Sequence, residues 1–225
     1  MNNKIYLIGG GKGGVGKSLV TMTLLDLLVC KGKDILLIET DTSNPDTCKT
    51  YGESIRYKLL NLDVIDGWIE LLNLCEQRVN STVVINSAAR SAEGVAAFGR
   101  LLNLNLTALQ RQLVTLWVIN RQRDSLELLR GFMETMTNSM VHVLLNGYFG
   151  TAARFELYNN SKIRTLVQER GGKSVMFPAL ADRVSDDLYS MRLTIEHAMA
   201  DFTVGNRAEL ERWRREVHQV LEGVL

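Results

Sequence analysis

Short apolar runs recur along the chain, and segments with helical periodicity lie between them. The apolar runs predict strands near Lys4–Ile8, Asp34–Glu39, Thr82–Asn86, Thr115–Ile119, Met140–Asn146 and Ser174–Phe177. The intervening spacing predicts helices near Lys17–Cys30, Gly67–Arg78, Ala92–Leu104, Ser125–Thr135, Ser161–Glu169 and Leu188–Ala200, with a last one near Arg207–Leu221. The strands read as continuous apolar runs, not as alternating ones, so both of their faces are buried. That points to an α/β fold with a mostly parallel central sheet and helices on both faces. Ligands of such sheets bind outside the carboxyl ends of the strands, so polar residues that follow a strand are the candidate functional positions.

The first such position carries the strongest signal. Ile5–Ile8 is followed by Gly9-Gly10-Gly11-Lys12-Gly13-Gly14-Val15-Gly16-Lys17-Ser18, which runs directly into the helix starting Leu19-Val20-Thr21. Gly11 to Ser18 fits the phosphate-loop pattern G-x-x-x-x-G-K-S/T in full, in the strand–loop–helix context the pattern needs. Phosphate oxygens must approach backbone N–H groups, and a side chain at Gly13, Gly14 or Gly16 would block that approach. The helix that follows offers unpaired N–H groups and its positive dipole end to the anion. In this pattern Lys17 reaches the β- and γ-phosphates and the Ser18 hydroxyl binds Mg²⁺, with Val15 and Leu19 completing the loop and the first helical turn.

Lys12 is a second lysine inside the loop. With it, Lys12-Gly13-Gly14-Val15-Gly16-Lys17-Ser18 resembles the deviant Walker A motif of the ParA/MinD family, which includes the partition ATPases, the division-site positioning ATPases and the nitrogenase iron protein. The resemblance implies a P-loop NTPase fold, ATP and ADP as ligands, Mg²⁺ as cofactor, and a homodimer that closes on ATP binding. It also implies that Lys12 crosses the dimer interface to the partner's nucleotide. Glu39-Thr40-Asp41 matches the pair of acids that the family carries after its second strand, and Asp41 corresponds to the acid that orients or deprotonates the attacking water near the metal. An acidic cap after a strand is the plain alternative. Thr42-Ser43-Asn44-Pro45-Asp46 then resembles a switch loop.

Thr82-Val83-Val84-Ile85-Asn86 resembles a Walker B strand, except that Asn86 stands where the family has an acid. An amide oxygen still accepts a hydrogen bond from a metal-bound water, but it brings no charge. The departure bears on fast hydrolysis more than on binding. Asn146, which ends the strand from Val141, resembles the asparagine that bonds the adenine base, with a strand-ending Asn before the turn residue Gly147 as the plain alternative, and Pro178 lies where the family packs a loop against that base. The catalytic set implied is Lys12, Lys17 and Asp41, and the metal set is Ser18, Asp41 and, through water, Asn86. Compact size and an altered Walker B position resemble divergent partition-like ATPases of conjugative and mobilisable plasmids.

Composition changes this picture little. At 225 residues the chain is expected to form one P-loop domain, 1–225, with an amphipathic helix near 206–222. A net charge of +1 argues neither for nor against nucleic acid. Three cysteines without a C-x-x-C give no support to zinc-ribbon or thioredoxin chemistry, and none stands where a shared iron–sulfur cluster would be ligated. The apolar run from Leu19 to Cys30 contains Asp26 and is too short to span a bilayer, and no room precedes the first strand for a signal peptide, so the expected location is the cytoplasm. The last helix puts Leu210, Trp213, Val217, Val220 and Leu221 on one stripe. Its arginines, Arg207, Arg212, Arg214 and Arg215, are interspersed with Glu209, Glu211 and Glu216, which favours a solvated face over a DNA contact. The expected partners are a second copy of the chain, a protein adaptor or activator, and DNA either directly or through that adaptor. A small-molecule synthetase built on the same loop is the competing enzyme class, and a nucleotide-binding scaffold that does not hydrolyse is the competing non-enzyme.

Overall fold

The computed structural model describes residues 3–11 and 13–225. Strand and helix alternate through β1 (Lys4–Gly10), α1 (Lys17–Cys30), β2 (Ile35–Glu39), α2 (Asp46–Tyr51), β3 (Arg56–Leu59), α3 (Ile65–Gln77), β4 (Thr82–Asn86), α4 (Ala92–Asn105), β5 (Gln112–Ile119), α5 (Arg123–Thr135) and β6 (Ser139–Asn146). Short helices α6 (Glu156–Asn159) and α7 (Lys162–Glu169) lead to β7 (Ser174–Phe177), followed by α8 (Asp182–Ser190), α9 (Ile195–Asp201) and α10 (Val204–Glu222). The strands form one seven-stranded sheet in the order β3-β2-β4-β1-β5-β6-β7, and every pairing is parallel.

Alternate residues of the buried strands feed two cores. Tyr6, Ile8, Leu37, Val84 and Leu116 pack with α1, α2, α8, α9 and α10 on one face. Ile5, Leu7, Ile38, Val83 and Trp117 pack with α3, α4, α5 and α7 on the other. Both faces are thus covered, which is why the strands read as unbroken apolar runs. Neighbours β1 and β4 send their helices, α1 and α4, to opposite faces, so a crevice opens between them at the carboxyl end of the sheet. Register brings Ile8 opposite Asn86 and Glu39 opposite Asn86, so the ends of β1, β2 and β4 lie level beneath that crevice.

The structure adds elements where the pattern is weak. Strand β3 is a solvated edge, with all four residues exposed, and carries no apolar run to announce it. Helix α2 begins at Asp46, the last residue of the expected switch loop, and runs on through residues for which no element was expected, held by buried Thr47, Cys48 and Tyr51. The helix expected over Leu188–Ala200 is two helices, because Arg192 adopts φ 50 between them. The Thr194 hydroxyl then accepts the His197 N–H at 3.1 Å and starts α9 afresh. In helix α10, Leu210, Trp213, Val217 and Leu221 are buried, and Val220 is half-buried. It docks on α1 through Asp26, which is 4% exposed and accepts from Arg214 at 2.7 and 2.9 Å and meets His218 at 2.7 Å.

Candidate functional site

The loop after β1 enters α1 through Gly16, whose φ of 103° only glycine adopts without strain. A Cβ there would also lie 2.5 Å from the Asn146 amide nitrogen. Above this loop lies a cleft of about 650 Å³ at the carboxyl ends of the strands. It brings together Gly13, Gly14, Gly16, Lys17, Ser18, Leu19, Asp41, Asn86, Asn146 and Pro178, residues spread from the first strand to the last. Lys12 lies outside the described residues. Two expected members are elsewhere. Gly11 packs against α5, where an added Cβ would meet the Ser125 Cα at 2.9 Å, and it faces a different cavity. The Val15 side chain is 1% exposed in the core and only its carbonyl participates locally.

Each polar group in the cleft floor has a defined environment. Lys17 is 8% exposed; burial lowers its amine below the usual lysine range, and the charges of Asp41 and Glu39 act against that lowering. Glu39 is 1% exposed, and desolvation holds its carboxyl above the usual range despite the N–H groups it accepts. Its Oε1 accepts the Asp41 N–H at 3.1 Å, and its Oε2 accepts from the Asn86 amide at 2.9 Å. Asn86 also donates to the Thr47 hydroxyl at 3.1 Å and accepts from the Thr21 hydroxyl at 2.9 Å. The Asn86 amide is therefore a connector between α1, β2 and α2. Its neighbour in register, Glu39, is the buried carboxyl of the floor.

Asp41 is half-exposed and combines two expectations. Its Oδ1 accepts from the Ser43 hydroxyl at 2.5 Å and from the N–H groups of Ser43 and Asn44 at 3.2 and 3.1 Å, which is the capping geometry of a turn. Those bonds, led by the Ser43 hydroxyl, hold its carboxyl below the usual range. It also lines the cleft, facing Lys17.

Asn146 donates to the Val15 carbonyl at 2.8 Å and accepts from the Tyr148 N–H at 3.0 Å. Its amide ties the phosphate-loop backbone to the end of β6, a bond the sequence did not indicate. Pro178 reaches the cleft on the loop after β7, and its carbonyl accepts the Trp213 indole N–H at 2.9 Å.

Three groups were not legible as site residues. Glu39 appeared only as the first half of an acid pair. Thr40 between them accepts the Ala88 N–H at 2.7 Å and donates to the Asn86 carbonyl at 3.1 Å, fastening the two segments that follow β2 and β4. Helix α8 contributes Asp182, Ser185, Asp186 and Tyr189 to the wall, and the sequence had placed no element before Leu188 there. Arg90 pairs with Asp63 at 3.1 Å. In α10, Arg212 pairs with Glu209 and Glu216, and Arg214 with Asp26, so these two arginines already have carboxylate partners. Among the described residues no helix is long and apolar enough to cross a membrane.

A parallel sheet with a glycine-loop cleft at its switch point defines a P-loop nucleotide-binding protein. Residues 6–147 match the family described as the CobQ/CobB/MinD/ParA nucleotide binding domain, and the chain belongs to that family. It is 60% identical over 225 residues to the protein MobD of Acidithiobacillus ferrooxidans, covering 100% of this chain and 99% of that one. It is 27% identical over 242 residues to the protein TraL of Escherichia coli, covering 97% of each. The MinD cell division protein of Aquifex aeolicus shares the fold with a TM-score of 0.57 at 16% identity, covering 99% of this chain and 98% of that one.

Proposed function

We infer that the chain is an ATP-dependent dimerising switch with slow Mg²⁺-dependent hydrolysis, acting in plasmid partition, positioning or transfer in the cytoplasm. The observation that carries this reading is the cleft floor: Lys17 lies beside Ser18, Glu39 and Asp41 at the level ends of β1 and β2. Backbone N–H groups of Gly13, Gly14 and Gly16 receive the phosphates, Lys17 neutralises the β- and γ-phosphate oxygens, and Lys12 reaches the nucleotide of the facing subunit. Asp41 orients the attacking water, and Pro178 with Asn146 borders the base.

The donor set fits a magnesium ion. Ser18, Glu39 and Asp41 offer hard oxygens, while no cluster of three His, Cys, Asp or Glu side chains among the described residues forms an all-protein cage. Magnesium favours that arrangement, keeping water and phosphate in most of its positions. Bound there, it would supply positive charge against the phosphate oxygens. Ser18 would hold it, and the carboxyl of Glu39 and the amide oxygen of Asn86 would accept from water it carries. A protein adaptor and DNA, reached through that adaptor, are the proposed partners, because Arg212 and Arg214 are already paired.

Light scattering with ATP, ADP or no nucleotide tests the switch. A dimer with ATP alone, lost in Lys12→Ala, is the expected result; a Lys12→Ala variant that dimerises with ATP as well as the wild type does would refute it. The engagement of the Asn86 amide with three neighbours also favours a second reading, a nucleotide-binding scaffold without turnover. Single-turnover assays with labelled ATP separate the two.

A further inference from the structure

Behind the nucleotide cleft, on the other face of the sheet, lies a second cavity of about 300 Å³. It opens where α4 and α5 part. Past Val95 the chain segments close up, and a Cβ added to Gly99 would meet the Met136 sulfur at 3.0 Å; in the lining itself, a Cβ added to Gly131 meets nothing within 4 Å. Side chains of Leu7, Ile85, Val95 and Phe132 make the lining largely apolar.

Two residues of that lining also carry a buried polar atom without a partner. Among the described residues, Ser87 Oγ and Trp117 Nε1 are the buried side-chain polar atoms that find no hydrogen-bond partner, and both residues line this cavity. The indoles of Trp68 and Trp213, by contrast, donate to the carbonyls of Leu62 and Pro178, each at 2.9 Å. Trp117 stands opposite Gly9 in the β1–β5 register, and its ring lies where a Gly9 Cβ would be, 2.6 Å from Cε3. On the other side of β1, Ser87 follows directly from the Ile8–Asn86 pair and donates its N–H to Ile8. The glycine thus lets the indole lie across the same rung of the sheet as the serine.

An unpaired buried donor is unfavourable, and a ligand acceptor that meets it recovers the lost bond. The volume stands at the lower end for small-molecule sites. The ionisable residues among the described lining are Glu93 and Glu127, the latter paired with Arg123, so an anionic ligand is disfavoured. Ser87 and Ala89 line both this cavity and the nucleotide cleft. We propose that the cavity binds a small, neutral, largely apolar molecule carrying one hydrogen-bond acceptor, such as an aryl or branched alkyl carbonyl compound, and that the shared Ser87–Ala89 wall couples its occupancy to nucleotide binding. The coupling rests on the nucleotide reading above; the binding site does not.

The test uses the full chain labelled with ¹⁵N, titrated with acetophenone and with α-methylstyrene, its isostere without the acceptor. The three indole signals are assigned with Trp117→Phe. Acetophenone is expected to shift the Trp117 indole N–H saturably and leave that of Trp213 in place, and α-methylstyrene to bind about three- to tenfold more weakly. Ala96→Phe and, separately, Gly131→Leu are expected to abolish the shift while retaining the Trp213 signal of the folded chain. No saturable shift, equal affinity for the two probes, or binding that survives both filling variants overturns the site. A fluorescent ATP analogue is then titrated with and without saturating acetophenone, with a change in affinity of at least about twofold expected. An unchanged affinity overturns the coupling. Failure of the analogue to bind the free chain overturns the nucleotide reading and the coupling with it, while the indole shifts still decide the cavity.

Discussion

Asn86→Asp restores the acid at the end of β4, and the geometry predicts that it destabilises the free protein. The amide nitrogen now donates to Glu39 at 2.9 Å and to Thr47 at 3.1 Å. A carboxylate in its place keeps the Thr21 contact, loses both donors, and sets two carboxylate oxygens against each other. Two unit charges about 4 Å apart repel by about 4 kcal/mol at an effective dielectric near 20, and the lost hydrogen bond to Glu39 adds about 1 kcal/mol. Lys17 offsets part of this, and the pair has an escape: it can retain one proton, as close carboxylates do. A net loss of about 2–4 kcal/mol at pH 7.5 follows, narrowing at pH 5.5 where keeping that proton costs less. The direction agrees with the wild type, in which desolvation already holds the Glu39 carboxyl above its usual range. The folded state then binds that proton more readily than the unfolded state, so the unfavourable contribution of Glu39 is present at neutral pH and is relieved as pH falls. Urea unfolding at both pH values, with and without Mg²⁺ and ATP, measures the loss. Magnesium nucleotide should stabilise the variant more than the wild type, because a divalent cation offsets the paired charges. A variant within about 0.5 kcal/mol of wild type at pH 7.5, or an equal gap at both pH values, would show that Glu39 is not a charged neighbour of position 86, and the account of the floor would fail.

Asn146→Ala removes the bond from β6 to the Val15 carbonyl; nucleotide affinity is expected to fall about tenfold in a fluorescent-ATP titration, with only about 1–2 kcal/mol of stability lost. Asp26→Asn leaves Arg214 and His218 without their shared carboxylate; about 2 kcal/mol is expected to be lost in urea unfolding, less than for a fully buried pair because Arg214 is part-exposed. Burial, aided by the charges of Lys173 and Lys4, pulls the His142 imidazole down to about 4, and its Nδ1 accepts the Lys173 N–H at 3.1 Å. The unfolded chain protonates this residue near 6.5 and the folded chain does not, so stability is lost as pH falls from about 6.5 to about 4, by at most about 3 kcal/mol. A His142→Gln variant should flatten that part of the profile.

Elements buried on both faces were the legible ones. Strand β4 and helix α1 lie within the residues their apolar patterns marked. What escaped was structure whose cause is not in the local pattern. Strand β3 exists because β2 offers it a hydrogen-bonding edge, and its own four residues are exposed. The break between α8 and α9 falls at Arg192, with no glycine or proline to mark it. At the site, the glycine loop was readable because its chemistry is consecutive in sequence. The roles of Glu39 and Asn146 depend on parallel register across strands far apart in the chain, and spacing along one strand cannot reveal them.

Helix α10 has one more consequence. Through Asp26 it grips the body of α1, and through Trp213 it grips the carbonyl of Pro178 on the far rim of the cleft. The phosphate loop's own helix and the Pro178 rim of the cleft are therefore tied together through one helix. The opposing wall, made of the Asp41–Asp46 stretch and the Ser87–Ala89 stretch, is stitched together by Thr40 and is tied to α1 through the Asn86 amide, not through α10. Removing α10 would therefore free the Pro178 rim from α1 while leaving the bonds of that second wall in place.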